Sequence, residues 1–509
     1  MADSSGRPCC IVDLPAHLIL EILSSGQLCA SDLACFETTC RMFSAAHELV
    51  PIKFRSMVEF AACCHCQANS IFSSLPPVAR AKLLHRCGDN WKKVLRFLQS
   101  VEQSFSSAKT SAGEMQIATG KYHTLLVRDM SVYFCGSSLS GVLDHDRETK
   151  QSAAFSRINF PSPSRVAHIS ASHKHAAFVL QSGEVFTCGD NSSSFCCGHG
   201  EVSRIVFRPT AVETMKGTPC KQVATGFNFT VFLTLQGQVY TCGSNEHGQL
   251  GHGDTSDRPV PTVISLFEEQ GHIVQIAAGA SYTLAVTDDG TVHSFGSCTN
   301  FCLGYEDQQD QLAPRAIQSF KSRNIHILRV SAGDEHAVAL DSSGYVYSWG
   351  RGYCGALGHG DENNKTSPEF LTRMKCNIAV QVCARKRKTF VVTDEGLVFA
   401  FGWMCFGSLG LADRGSSDKV MEPRLLRNLS SHRVSQISTG AYHTVAVTNG
   451  GRVFGFGDNE KAQLGPAQTL SYLEPTEMAI ELVKTIESRD KLILEFLQEQ
   501  FYRSWGWIA

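Results

Sequence analysis

The feature that most constrains this chain is a unit of just over fifty residues that recurs seven times between Ile117 and Glu477. Each copy has an apolar segment, in five of the seven around a glycine, followed by an aromatic-rich segment that ends in a second glycine. The second glycines are 52 to 55 residues apart: Gly136, Gly189, Gly243, Gly296, Gly350, Gly402 and Gly457. A repeat of this length indicates a propeller or a solenoid.

Within each unit apolar and polar residues alternate, as in Thr230–Thr234, which is typical of β-strands. Glycines such as Gly237 and Gly396 stand between the second and third strands, where a tight hairpin needs a positive φ. A proline about ten residues after the third strand marks an outer edge strand. One such unit cannot bury its own apolar faces, and closing a ring removes exposed ends. We therefore predict an all-β, seven-bladed propeller over residues 117–477.

The repeat resembles that of the regulator of chromosome condensation family, whose pattern is roughly aGxxHtlaLtxxGxvyxWGxnxxGqLG. The first and seventh units, IATGKYHTLLV and ISTGAYHTVAV, match it well, and the sixth departs most, with Ala384–Lys388 in place of aGxxH. The resemblance implies the propeller fold and one possible activity, nucleotide exchange on a small GTPase of the Ran type. The plant ultraviolet-B receptor-like members of the family use tryptophans in GWRHT motifs. Because this chain has GKYHT and GAYHT instead, we do not expect photoreception.

Residues 1–50 show apolar residues at the spacing of three short helices. The opening Leu14-Pro15, the Glu21-Ile22-Leu23 turn and the closing Cys40-Arg41-Met42-Phe43 resemble an F-box. That resemblance implies docking on a Skp-type adaptor through residues that contact it or support the contact: Leu14, Pro15, Ile22, Leu23, Leu33 and Phe43. The alternative is a helical cap that only packs on the propeller.

Two further helical regions flank the propeller. Residues 51–116 read as a helical spacer, so we expect the N-terminal helices to form a separate unit joined to the propeller. Residues 478–509 read as a C-terminal helical tail with an apolar stripe from Leu482 to Leu497. The tail either packs on the N-terminal helices or binds a partner.

Composition argues against several classes of function. A net charge of −2 gives no overall attraction to nucleic acid or membrane, and no signal peptide or stretch of about 18 apolar residues is present. We expect a cytoplasmic or nuclear protein with mostly free thiols among its 21 cysteines. No catalytic or nucleotide-binding motif is found, so we predict that the chain is not an enzyme and needs no cofactor.

Two residue patterns suggest chemistry but have simpler explanations. Cys63 and Cys66 have zinc-ligand spacing, yet no second pair accompanies them and their segment reads as helix, so packing is favoured. The histidines His123, His175, His336 and His443 recur at one position of the repeat. A residue repeated around a ring does the same local work each time, so we predict hydrogen bonds between neighbouring strands or blades. The basic run Arg385–Lys388 is interpreted as a surface patch.

The most favoured function is target recognition within an SCF-type cullin–RING ubiquitin ligase, with exchange on a Ran-type GTPase as the alternative. The partners would be a Skp-type adaptor, a cullin and an unknown protein target. Residues on the turns between the first two strands gather at one end of the ring, where recognition loops are commonly found. We hypothesise that this end binds an acidic or phosphorylated segment of the target. The candidate residues are Lys121, Tyr122, Lys174, Phe227, Asp334, Glu335, Lys386, Arg387 and Tyr442.

Overall fold

The structure, a computed structural model, describes most of the propeller and of the N-terminal helices. The described residues are 16–25, 28–39, 43, 54–103, 115–128, 131–137, 151–158, 160, 165–192, 194–200, 205–267, 271–412, 418–466 and 469–478. Leu14, Pro15 and the predicted C-terminal helix beyond Met478 lie outside these ranges, and what was predicted of them stays a prediction.

Seven antiparallel sheets of four strands each confirm the seven-bladed propeller predicted from the repeat. Every blade consists of four consecutive strands, and the first strand of each blade lies innermost, against the first strands of its neighbours. The strands of blades 1 to 4 are β1 (Gln116–Thr119), β2 (His123–Arg128), β3 (Ser131–Ser137), β4 (Gln151–Ile158), β5 (Val166–Ala171), β6 (His175–Leu180), β7 (Val185–Asp190), β8 (Ile205–Ala211), β9 (Cys220–Thr225), β10 (Phe229–Thr234), β11 (Val239–Gly243), β12 (Arg258–Val263), β13 (Ile273–Ala278), β14 (Tyr282–Thr287), β15 (Val292–Gly296) and β16 (Gln311–Ala316).

Blades 5 to 7 complete the ring with the same order of strands. They are β17 (Ile327–Ala332), β18 (His336–Asp341), β19 (Val346–Gly350), β20 (Lys365–Phe370), β21 (Ala379–Arg385), β22 (Lys388–Thr393), β23 (Val398–Trp403), β24 (Lys419–Leu425), β25 (Val434–Thr439), β26 (His443–Thr448), β27 (Val453–Asp458) and β28 (Ser471–Glu477). The predicted edge prolines lie on the outermost strands, for example Pro259 on β12 and Pro423 on β24.

The repeated glycines are required by backbone geometry. At the hairpins between second and third strands, Gly237 and Gly396 both have φ of 78°. At the end of the third strand, Gly402 has φ of 111°, and a Cβ there would lie 2.3 Å from the carbonyl oxygen of Arg387. A side chain at Gly402 would therefore collide with the turn between the first two strands.

Glutamines on the first strands join neighbouring blades across the central channel. The Gln275 side chain donates to the carbonyl of Val330 (3.0 Å) and accepts from the same residue's N–H (2.9 Å). Gln222 and Gln381 hold Ile276 and Ile437 in the same two-bond way. Because these bonds satisfy backbone groups on the inner edge of each blade, they protect an edge that would otherwise be unpaired.

The ring is closed between blades 7 and 1. The N–H of Ile117 donates to Gln436 Oε1 (3.2 Å), and the hydroxyl of Thr124 donates to the carbonyl of Gln463 (2.6 Å). These contacts repeat the pattern seen between interior blades, since Thr389 donates in the same way to the carbonyl of Ala356 (2.9 Å).

Among the described residues, six helices with assigned bounds precede the propeller and share one apolar core with blades 5 to 7. Phe97 and Val101 are buried in the same cluster as Val380 and Val434, so the helices do not form the separate unit that the sequence suggested. The helices are α1 (Ala16–Ser24), α2 (Ala30–Thr39), α3 (Met57–Ala68), α4 (Ser70–Ser74), α5 (Pro77–Arg86) and α6 (Trp91–Gln103), and α7 (Gln318–Ser322) links blades 4 and 5.

Polar contacts fix the helices at one end of the propeller. Arg96 on α6 pairs with Asp394 at the β22–β23 hairpin (2.6 Å). Arg86 on α5 donates to the carbonyl of Asn377 (2.7 Å), and its guanidinium carbon lies 3.8 Å from the centre of the Tyr345 ring.

The cysteines of the described residues are free thiols. Cys63 and Cys66 are buried on α3, and His65 between them bonds the carbonyl of Leu23 at the end of α1 (2.8 Å). These side chains pack α3 against its neighbours, and no group of three or more ligands suited to a metal occurs among the described residues. Within the same residues, no helix is long and apolar enough to cross a membrane.

Candidate functional site

The two ends of the propeller differ in what covers them. First strands run away from the helices and second strands run back, so Asn377 and Asp394 lie at the end the helices occupy. We call this the helix end. The turns between first and second strands, and the loops that follow third strands, lie at the opposite end, which we call the turn end.

Three of the four recurrent histidines join blades, as predicted, whereas the buried Nε2 of His123 has no hydrogen-bond partner. His175 Nε2 lies 2.7 Å from Thr230 Oγ1, His336 Nε2 lies 2.9 Å from Thr389 Oγ1, and His443 Nε2 lies 3.0 Å from Thr124 Oγ1. Each threonine hydroxyl donates its hydrogen to a backbone carbonyl of the preceding blade. The threonine oxygen is therefore the acceptor of the second hydrogen bond, and the histidine Nε2–H is the donor. Burial lowers the pKa of His336 to about 4, so this histidine is neutral at pH 7.

Blade 6 departs from this pattern at two coupled positions. In blades with a ring at the histidine position, the preceding glycine leaves room for it: a Cβ at Gly226 would lie 2.0 Å from the Phe229 ring. Blade 6 has Lys388 instead of a ring, and Arg385 takes the place of the glycine. Lys388 is 2% exposed, and its Nζ has no hydrogen-bond partner. The basic run is therefore not a surface patch as a whole, since only Lys386 and Arg387 lie on the exposed turn.

A cluster of alternating aromatic and cationic side chains covers the turn end over blades 5, 6, 7 and 1. We call it the cation–aromatic strip. The rings of Tyr122 and Tyr442 stack with centres 5.9 Å apart, and Phe406 meets Tyr442 edge-on at 5.8 Å. Its members are Lys121, Tyr122, Arg351, Tyr353, Lys386, Arg387, Trp403, Phe406, Lys419 and Tyr442.

Each cation of the strip lies against a ring at a distance typical of cation–π interactions. Lys386 Nζ is 3.8 Å from the Tyr442 ring and 4.8 Å from that of Trp403, and Lys121 Nζ is 4.8 Å from Tyr122. The guanidinium carbon of Arg387 is 5.0 Å from the Tyr353 ring. The rings thus hold the cations of blades 6 and 1 in place.

The strip contains five of the nine residues predicted for target binding: Lys121, Tyr122, Lys386, Arg387 and Tyr442. Glu335 borders it and pairs with Arg351, and burial raises the pKa of the Asp334 carboxyl. Phe227 instead packs edge-on against His173 at 4.4 Å on blades 2 and 3. Among the described residues, Lys174 has no ring or ion-pair contact with the strip.

Sequence reasoning missed Arg351, Tyr353, Trp403, Phe406 and Lys419. Four of them lie immediately after the third-strand glycines Gly350 and Gly402, in loops that the repeat itself places beside the predicted turns. Tyr353 and Phe406 are 41% and 55% exposed, which is unusual for large apolar side chains. Their position after those glycines was the signal that could have found them.

At the helix end, the predicted adaptor residues fall into two groups. Leu23, Leu33 and Phe43 are buried in the helical core, so they can only support a contact surface. Ile22 is 40% exposed, and Leu18, one turn earlier on α1, is 39% exposed. These two side chains form an apolar pair on the outer face of α1.

The seven blades, joined by glutamines and histidines and bearing a loop-built surface, define a closed β-propeller. The profile of the RCC1-like domain matches residues 86–378, and profiles of the regulator of chromosome condensation (RCC1) repeat match residues 395–447 and 434–463. The chain belongs to the RCC1-like domain family.

Relatives share the propeller within proteins of different size. The ultraviolet-B receptor UVR8 of Arabidopsis thaliana is 34% identical over 62% of this chain and 70% of its own length. The human E3 ubiquitin-protein ligase HERC2 is 33% identical over 52% of this chain, which corresponds to only 6% of HERC2. Yeast RCC1 (Prp20), in a crystal structure with Kap60, has a TM-score of 0.61 at 18% identity and covers 69% of this chain and 83% of its own. Human WBSCR16 has a TM-score of 0.59 at 19% identity over 69% of this chain and 94% of its own. These solved structures share the fold.

Proposed function

We propose that this chain is the target-selecting subunit of an SCF-type cullin–RING ubiquitin ligase. The N-terminal helices dock on a Skp-type adaptor that joins the cullin, and the turn end of the propeller binds the protein target. Other subunits carry out the ubiquitin chemistry, in the cytoplasm or the nucleus.

The observation that carries this proposal is the placement of two exposed surfaces at opposite ends of one continuous core. The Leu18–Ile22 pair belongs to helices that pack on the helix end, and the cation–aromatic strip lies at the turn end. A receptor must hold its target and its adaptor at the same time, and this arrangement keeps the two sites from competing. Related propellers within proteins named E3 ubiquitin-protein ligases give further support.

The adaptor contact is tested by Leu18→Asp with Ile22→Asp. Both side chains are exposed, so the charges are tolerated in the free protein but must lose water at a docked surface. We expect recovery of the adaptor and cullin in a pull-down to fall about tenfold or more, a loss of roughly 1.4 kcal/mol of binding free energy. Changing the buried Leu23 would not give this test, because Leu23→Asp would disrupt the helical core.

Val78→Asp is the matched control, because Val78 is 62% exposed on α5 and lies outside the apolar pair. Undiminished recovery of the adaptor by the double variant would refute the proposal. Recovery of a small GTPase, bound best without nucleotide and in place of the adaptor, would favour the exchange-factor alternative.

A further inference from the structure

The cations of the strip differ in how their charges are balanced. Arg351 pairs with Glu335, and Lys419 pairs with Glu362 at 2.8 Å. Lys121, Lys386 and Arg387 have no carboxylate partner among the described residues, although each lies against a ring. Three positive charges are therefore held in place by rings, without a contact ion pair among the described residues.

The neighbouring channel mouth adds to this positive field. Arg385 occupies the position where most blades have glycine, and its Nε and Nη2 are buried without a hydrogen-bond partner. Its charge, after burial itself, lowers the pKa of both His123 and His173, to about 4 and about 3. These histidines are neutral at pH 7, and the Asp334 carboxyl lies near both Arg385 and Lys386. Arg385, Lys386 and Arg387 thus place three consecutive cations on blade 6, beside the Asp334 carboxyl on blade 5, which is largely buried.

The arrangement of the rings argues against nucleic acid as the occupant. Nucleic-acid strands bind to aromatic side chains by stacking bases on open ring faces. Here Lys386 lies between the Trp403 and Tyr442 rings, while Arg351, Arg387 and Lys419 surround the ring of Tyr353. A base could stack there only after displacing the cations that its own phosphates would need.

The spread of the three unpaired cations argues against a single phosphoryl group. Lys121 is held by Tyr122, Lys386 by Tyr442, and Arg387 by Tyr353. Three different rings thus hold the three cations, which favours several acidic groups over one phosphoryl group. Carboxylates spaced along an extended chain, about 6.6 Å apart at every second residue, can meet them in turn. The exposed ring of Phe406 then offers apolar contact to residues between the acids.

We infer that the cation–aromatic strip binds an extended, carboxylate-rich segment of a protein, with apolar side chains between its acidic residues. The inference deepens the proposed function, because it names the chemistry of the target that the turn end selects. Lys121, Lys386 and Arg387 supply the charge-assisted hydrogen bonds, and the rings beneath them fix their positions.

The probe is a synthetic ten-residue peptide in which Asp or Glu alternates with Leu or Ser, with binding to the full chain measured by fluorescence anisotropy. We expect binding that weakens as salt rises and that falls about tenfold or more in the double variant Lys386→Gln with Arg387→Gln. Glutamine keeps a polar side chain, although a shorter one, and removes the charge. The matched control, Lys375→Gln with Arg427→Gln, changes two exposed cations at the helix end and should bind as the unchanged protein does.

Three comparison probes test whether the strip prefers carboxylates to amides, phosphoserine or nucleic acid. An amide analogue with Asn and Gln in place of the acids should not bind, and equal binding would overturn the inference. A tenfold preference for a phosphoserine peptide, or tighter binding of a single-stranded oligonucleotide, would likewise overturn it. The adaptor pull-down separates the two proposals: a chain that recovers the adaptor but not the acidic peptide retains the proposed function and loses this inference.

Discussion

The sixth repeat shows how one residue position controls another in the same turn. Five of the other repeats have glycine before a histidine, phenylalanine or tyrosine ring and blade 2 has Ser172, whereas blade 6 has Arg385 and no ring. Lys388 fills the ring's place with an aliphatic stem and a buried amine. Burial, and to a smaller extent the charge of Lys386, lowers the pKa of that amine from 10.5 to about 7.

The lowered pKa predicts how stability depends on pH. Between pH 7 and 10 the unfolded chain carries a proton on Lys388 that the folded chain has released, so the free energy of unfolding rises with pH, by up to about 1.4 kcal/mol per unit. Lys388→Met removes this contribution while keeping a similar stem. We expect the variant to be the more stable protein near pH 7, with the difference shrinking by pH 8.5. Urea denaturation at the two pH values measures it, and parallel changes in both proteins would contradict the assignment.

At the scale of elements, helix α6 connects the N-terminal helices to the propeller. Its apolar side chains pack on blades 6 and 7, and Arg96 pairs with the hairpin residue Asp394, whose side chain is only 7% exposed. A buried carboxylate that loses its cationic partner destabilises the folded protein. This ion pair should therefore contribute more to the free energy of unfolding than a solvent-exposed ion pair does.

A double-mutant cycle tests the pair. We expect Arg96→Ala and Asp394→Ala to show a coupling of roughly 1 to 2 kcal/mol in the free energy of unfolding, reduced from a fully buried value because Arg96 is 32% exposed. The exposed pair Arg373 and Glu422 is the control and should couple by less than about 0.5 kcal/mol. Equal coupling in the two cycles would show that the helices are not held by this contact.

At the scale of the whole molecule, the ring makes the first and last blades equivalent to interior ones. Thr124 bridges blades 1 and 7 through its bonds with Gln463 and His443, as Thr389 bridges blades 6 and 5. Because a closed ring has no free end, the contacts of Thr124 and Thr389 should contribute equally to the free energy of unfolding.

We therefore expect Thr124→Val and Thr389→Val to lower the free energy of unfolding by similar amounts, about 1 to 2 kcal/mol each, because either change removes a hydrogen bond to a buried carbonyl and leaves a buried histidine Nε2–H without its acceptor. Thermal unfolding followed by circular dichroism compares them. A large loss for Thr389→Val with almost none for Thr124→Val would indicate that the ring opens between blades 7 and 1.

The sequence by itself determined the propeller, the number of blades and the end of the ring where Lys121, Lys386 and Tyr442 lie. These features depend on local rules that recur every fifty or so residues: alternation in strands, glycine where φ must be positive, and a histidine or another large side chain at one point of each repeat. Such local patterns can be recognised in a sequence, and their recurrence in seven repeats removes most of the ambiguity that a single repeat would leave.

Only the tertiary structure decided which side chains contact one another at the turn end. Tyr122 stacks on Tyr442 from the opposite end of the repeat array, and Lys386 reaches the rings of its own blade and of the next, because ring closure and blade packing bring distant turns together. The same holds for α1, where Ile22 is exposed and Leu23 is buried, since that difference depends on which side of the helix α3 covers. Periodicity locates a helix face, but the partner that covers it is set by packing between segments far apart in the chain.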